Sequence, residues 1–167
     1  MKRRHFLRCT AILPLIAHTP YPQWKVYRQR HLFIVTNKAD PRSYELGQAI
    51  VETLLAHLPA SRAMVTRATD AAHTARLITT KQLDVAILKR SEVADWLAAA
   101  VEPVALRSLA AFDEHLLICR EDFPARHAYL IAETLQQHQR LSMAALTLEN
   151  ESLMPVHAGV LEYYKLH

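Results

Sequence analysis

Three short apolar runs rich in β-branched residues, each followed by a stretch with helical spacing, constrain this chain's fold more than any other feature. The runs are His31-Leu32-Phe33-Ile34-Val35-Thr36, Ala63-Met64-Val65-Thr66-Arg67 and Leu83-Asp84-Val85-Ala86-Ile87-Leu88. Their length and composition predict strands, the first of them buried. After the first run, Leu46, Ile50, Leu54 and Leu58 recur at a spacing of four, which places them on one helix face. Ser43 is positioned to cap that helix, and Leu58-Pro59 ends it. Thr69 or Asp70 caps a second helix with Ala75, Leu77 and Ile78, and Ser91-Glu92 opens a third through Val93, Trp96 and Leu97. Strands alternating with helices predict βαβ units and a parallel sheet. Right-handed crossovers would bring every strand's C-terminal end, and every helix's N-terminus, to one edge. The expected fold is therefore an α/β three-layer sandwich with a mostly parallel sheet, and the expected site lies on that edge.

Beyond residue 103 the alternation stops. Val104 to Phe112 and Glu114 to Cys119 read as two adjoining strands or one long bent strand. Pro124 opens a helix from Ala125 to about Gln139, with Tyr129, Ile131 and Leu135 on its apolar side. The tail, Leu141 to His167, carries short helical pieces. Residues 31–167 read as one α/β domain and residues 21–30 as a linker.

The N-terminus reads Lys2-Arg3-Arg4-His5-Phe6-Leu7-Arg8 followed by the apolar run Ala11-Ile12-Leu13-Pro14-Leu15-Ile16-Ala17. A paired arginine before a short apolar run is the pattern of a twin-arginine export signal, so residues 1–20 predict a periplasmic location. That run falls well short of the ~20 residues that span a bilayer. Ala17-His18-Thr19 lacks a clean small-x-small cleavage pattern, which leaves retention as an N-terminal anchor open. Of the 20 basic and 16 acidic residues, four basic and no acidic ones fall in this segment. The remainder balances, so the basic excess belongs to the signal and does not argue for nucleic acid. Cys9 precedes the apolar run, and Cys119 lies inside a strand-like run, where a buried inert thiol is expected. Only two glycines occur, Gly47 and Gly159, which excludes glycine-rich phosphate loops and dinucleotide fingerprints.

Candidate binding residues on the shared edge are Asn37, Ser43, Tyr44, Thr69, Asp70, Lys89, Arg90 and Ser91. Helix N-termini together with Lys89 and Arg90 suit a carboxylate. The alternative is that Ser43, Asp70 and Ser91 merely cap their helices and the basic pair faces water. None of the ten histidines has a helical-pair spacing to another, so no metal site and no cofactor is expected. No Gly-x-Ser-x-Gly nucleophile motif occurs, and no enzymatic activity is expected. Asp113-Glu114 and Glu121-Asp122 read as solvated turns.

Several segments, in order, resemble the TAXI solute receptors of TRAP-type transporters, a branch of the periplasmic binding proteins. They are Tyr44-Glu45-Leu46-Gly47-Gln48-Ala49, Arg76-Leu77-Ile78 with Lys81 to Ile87, Ser91-Glu92-Val93-Ala94, Leu106 to Phe112 with His115-Leu116, Arg120 to Pro124 with Tyr129, and His157-Ala158-Gly159 with Tyr163-Tyr164. The resemblance implies a single lobe of a type II-like periplasmic binding fold and a solute-binding component of a TRAP transport system. Such receptors have two lobes, the second inserted after the strand matching residues 114–119. Here Ile118-Cys119-Arg120 runs straight into Asp122-Phe123-Pro124. The family's first glycine-rich loop is replaced by Thr36 to Arg42, and its Gly-Gly-Ser by Thr69-Asp70-Ala71, where Asp70 would repel a carboxylate. One lobe offers one wall, whereas small-ligand sites bury ~70–90% of the ligand. A small organic acid or amino acid would then bind weakly, or with a partner or second copy as the other wall. The alternative is a binding-dead interaction or assembly module of another exported complex. Membrane contact is expected only through an uncleaved signal or a transporter subunit. His157 is expected to be structural, hydrogen-bonded near the closing helix.

Overall fold

The computed structural model describes residues 31–99, 105–138 and 153–166. The export-signal and linker readings, and the tail from Leu141 to Glu151, lie outside the described residues. Within them, the three apolar runs form strands β1 (Phe33–Asn37), β2 (Met64–Ala68) and β3 (Val85–Lys89). Helix α1 (Pro41–His57) connects β1 to β2, α2 (Ala71–Thr79) connects β2 to β3, and α3 (Arg90–Ala99) follows β3 directly. Two longer strands, β4 (Leu106–Phe112) and β5 (His115–Arg120), precede α4 (Ala125–Gln137) and α5 (Ala158–Leu166).

The strands form one five-stranded sheet in the order β2-β1-β3-β5-β4. β1 pairs in parallel with β2 and β3, while β5 is antiparallel to both β3 and β4. Four strands therefore share a direction and β5 opposes them. The expectation that every strand ends at one edge is corrected at this point. The two strands after residue 103 are an antiparallel hairpin, closed by a two-residue turn in which Asp113 adopts φ 47°. Asp tolerates this left-handed backbone better than most residues. The turn brings the C-terminal end of β4 and the start of β5 to the same edge as the C-terminal ends of β1, β2 and β3.

Helices cover both faces. Ile34, Val85, Ile87, Leu117 and Cys119 pack with Leu46, Ile50 and Leu54 of α1, Ile131 and Leu135 of α4, and Val160 and Tyr163 of α5. Val35, Ala86, Leu88, Leu116 and Ile118 pack on the other side with Ile78 of α2 and Val93 of α3. A strand buried on both faces reads as a continuous apolar run rather than an alternating one. Val85-Ala86-Ile87-Leu88 shows this most fully, with no residue more than 1% exposed. In β4 the register shifts between Ser108 and Ala110, so Ala110 packs on the α1 face although Leu106, four residues earlier, belongs to the other. This is the face switch a bulge produces.

Residues after Leu153 finish the outer edge of β4. Ser108 donates its N–H to Pro155 O and accepts from His157 N–H, both at 3.0 Å. His157 is buried; its Nε2 lies 3.0 Å from Phe123 O, and Gly159 N–H donates to its Nδ1 at 3.1 Å. The carbonyl can only accept, so Nε2 carries the proton and Nδ1 is the acceptor. This matches the structural role expected for His157. Cys119 is fully buried, and burial pushes its thiol well above the ordinary range.

Four residues, 121–124, connect β5 to α4. The short connection is itself ordered. Arg120 donates to Leu83 O at 2.9 Å, Asp84 Oδ1 at 2.9 Å and Asp122 Oδ1 at 2.7 Å, and Lys81 pairs with Asp122 at 2.7 Å. Glu121 and Asp122 are exposed, but they hold ion pairs with Arg107, Arg120 and Lys81 instead of being solvated only.

Candidate site at the C-terminal edge of the sheet

The strand order fixes where a crevice opens. From β1 the chain leaves through α1 to reach β2 on one side, while β3 lies on the other side of β1. Helices α1 and α3 then pack on opposite faces of the sheet. Their N-termini diverge above the C-terminal ends of β1 and β3, the topological switch point where open α/β sheets place their ligands. Of the sequence-predicted residues, Asn37 and Lys89 end these two strands, Ser43 lies in the first turn of α1, and Arg90 and Ser91 begin α3.

A hydrogen-bonded hub occupies the centre. Asn37 Oδ1 accepts from Ala39 N–H at 2.9 Å, folding the loop as an Asx turn, and Asn37 Nδ2 donates to Glu92 Oε1 at 2.9 Å. The other Glu92 oxygen accepts from Lys89 N–H at 3.0 Å. Glu92 stands three residues after Lys89, so it supplies the return half of a capping box for α3. The expectation that Ser91 caps this helix is corrected: Ser91 is exposed at its second position. Ser43 is corrected likewise. α1 starts three residues earlier, with Pro41 at N1 and Asp40 as the N-cap residue, because proline is pre-organised for the first helical turn. Ser43 is buried one turn in, where its hydroxyl donates to Asp40 O at 2.8 Å and accepts from Asn37 N–H at 3.2 Å.

Asp40 is the residue that sequence reasoning missed. In its N-cap position the side chain would ordinarily accept an N–H of the first turn. It makes no such bond. Its carboxylate crosses the top of the sheet instead, with Oδ2 2.7 Å from His115 Nε2 and Oδ1 3.8 Å from Lys89 Nζ. The convergence follows from register. Lys89 and His115 are directly opposed in the antiparallel β3–β5 pair, so their side chains share one sheet face. Each lies an even number of residues from Ile87 or Leu117, which face α1. The Asp40 and His115 side chains are 7% and 5% exposed, while that of Lys89 is 39% exposed. Lys89 is thus a cation with one side on a buried carboxylate and the other toward water.

The remaining candidates lie around this centre. Arg90 is not simply solvated: its N–H donates to Glu114 O at 2.8 Å and its Nε to Asp113 O at 3.0 Å, which ties the start of α3 to the β4–β5 turn. Tyr44 lies under the Arg67 guanidinium, 4.6 Å from its ring centroid, and accepts from Gln48 on its own helix. Asp70 caps α2 by accepting His73 N–H at 2.7 Å, and this bond, with the Thr69 hydroxyl, holds its carboxyl below the ordinary range. Thr69 Oγ1 bonds Asp70 Oδ2 at 3.0 Å and lies 3.1 Å from His73 Nδ1. Both side chains are exposed at the end of β2, beside the crevice.

The arrangement can meet a carboxylate through Lys89 from the open side of the edge. Asn37, Ser43, Glu92 and Asp40 are engaged with one another or with the backbone. No group of three or more His, Cys, Asp or Glu placed to hold a metal ion occurs among the described residues. No helix among them is long and apolar enough to cross a membrane. No protein-family model and no curated protein matches this chain.

Proposed function

We propose that this chain is an exported, solute-binding-like component of a TRAP transport system, a single type II-like lobe resembling the TAXI receptors. It would present the C-terminal edge of its sheet to a small organic acid or amino acid. The observation that carries this reading is the half-exposed Lys89 ammonium at the β1/β3 switch point, flanked by the starts of α1 and α3. The four-residue connection between β5 and α4 supports the single-lobe part, since the receptors' second lobe is inserted after the strand matching β5. With one wall, affinity is weak unless a partner or a second copy closes over the edge. The twin-arginine pattern at Arg3-Arg4 supports delivery to the periplasm. A thermal-shift screen of the full chain against organic acids and amino acids tests the reading. Stabilisation by a subset of acids at millimolar concentration is expected, and no shift with any of them rejects it.

A second reading has its own support. Asn37, Asp40, Ser43 and Glu92 direct their polar atoms to one another, to Lys89 or His115, or to backbone groups, as in an edge retained for stability. On that reading the domain is an interaction or assembly module of another exported complex. Size-exclusion chromatography from periplasmic extract separates the two: a stable hetero-complex together with an empty ligand screen supports the module.

A further inference from the structure

We infer that the crevice already holds a carboxylate, that of Asp40, and that this intramolecular group competes with any acid arriving from solution. The inference rests on the acid-binding reading of the edge and adds its regulation.

Asp40 stands where a side chain would cap α1, yet it leaves the helix uncapped and places both carboxylate oxygens on groups from other strands. Those groups, Lys89 and His115, come from opposed positions of β3 and β5, and the Asp40 side chain reaches them almost wholly shielded from water. A buried carboxylate needs charged or hydrogen-bonding partners close by, and partners left without it bear the cost of their own desolvation. The Lys89–His115 pair is therefore a recognition site for one carboxylate, satisfied from within the chain. An external acid can touch Lys89 from the open side, but it gains the Lys89–His115 pair only when the Asp40 side chain swings out. Its apparent affinity falls in proportion to the fraction of molecules in which that has happened. The Asn37–Ser43–Asp40 bonds hold the loop in the occupied arrangement. A partner that draws out the residue 38–40 loop would open the site.

Asp40→Gly tests this. Glycine is an acceptable N-cap residue, and the lost side chain is, heavy atom for heavy atom, an acetate ion. At neutral pH, sodium acetate should raise the melting temperature of Asp40→Gly saturably, while sodium chloride at the same ionic strength should not. Isothermal titration should show acetate binding Asp40→Gly at least about tenfold more tightly than the unmodified chain, as expected if the open form is about a tenth of the population or less. Asp40→Gly/Lys89→Met should lose most of that gain. Equal responses to acetate and chloride, or equal acetate affinity with and without Asp40, would overturn the inference. If Asp40→Gly does not fold in chloride buffer, refolding from denaturant in acetate decides: recovery in acetate alone supports the proposal, and failure in both salts refutes it. An acetate-responsive Asp40→Gly alongside an unmodified chain that binds no solute would leave this inference standing while rejecting the receptor reading.

Discussion

Replacing Gly159 with alanine tests how the domain is closed. A Cβ built on Gly159 would lie 2.0 Å from Ala125 O, 2.8 Å from Ala125 C and 3.1 Å from Ala125 Cα. These are backbone atoms at the start of α4, so no side-chain rotation relieves the clash. An ordinary contact lies at 3.4 Å or more, so α5 must retreat by more than about 1 Å from a close-packed neighbour. Retreat loosens the Tyr129–Tyr163 edge contact and the cradle of buried Val160 and Tyr163. Alanine gains ~1 kcal/mol of helix propensity over glycine. Overpacking a tight site costs ~1–3 kcal/mol, and a backbone clash belongs at or beyond the upper end. A net loss of about 2 kcal/mol corresponds to a melting temperature ~4–8 °C lower for a chain of this size. Thermal unfolding followed by circular dichroism measures it. Gly47→Ala is the internal comparison, because its Cβ meets a side-chain methyl, Thr36 Cγ2, at 2.8 Å and should cost less. A Gly159→Ala melting temperature equal to or above that of the unmodified chain would refute the close approach of α5 to α4.

Three further outcomes follow from the same contacts. The Cys119 thiol, buried and held protonated, should resist iodoacetamide in the native protein and react once denaturant unfolds it, as mass spectrometry of pulse-alkylated samples would register. Arg120→Met should destabilise by ~3 kcal/mol in urea titration, because it frees the Leu83 carbonyl and removes the partner of Asp84 and one of the two partners of Asp122 in one step. The carboxyls of Asp70, lowered by His73 N–H and Thr69, and of Asp122, lowered chiefly by Lys81 and then Arg120, contribute stability above the ordinary carboxylate range. That stability fades as pH falls through their depressed values, so the stability deficit of Asp70→Ala/Asp122→Ala against the unmodified chain should vanish below those values, and its stability–pH curve should be flatter on the acid side.

Much of the architecture is legible in the residues, and the limits have physical causes. The three β-branched runs and the spacing-four helix survive as β1, β2, β3 and α1; β3 reads most clearly because a strand buried on both faces needs continuous apolar sequence, whereas β2, at the sheet edge, is partly exposed. The direction of β5 is not legible. A hairpin and a bent strand have similar composition, and Asp113-Glu114 is a weak turn signal. The caps lie three and two residues before Ser43 and Ser91, where Asp40-Pro41 and the Lys89-x-x-Glu92 spacing carry the N-cap, N1-proline and return-half capping-box signals that mark the true starts. The Asp40–His115 pair joins residues 75 apart in sequence, and only the β3–β5 register brings them together. Lys89 was found because it ends an apolar run at the edge. Its partner in the neighbouring strand leaves no trace in local spacing.

Amide chemical-shift mapping of the full chain during titration with L-glutamate and with sodium acetate is the most direct test of the proposed acid-binding edge. The account predicts weak, saturable perturbations centred on Asn37, Lys89, Arg90 and Ser91, reduced in Lys89→Met. Perturbations centred elsewhere on the domain, or a response in Lys89→Met equal to that of the unmodified chain, would contradict it.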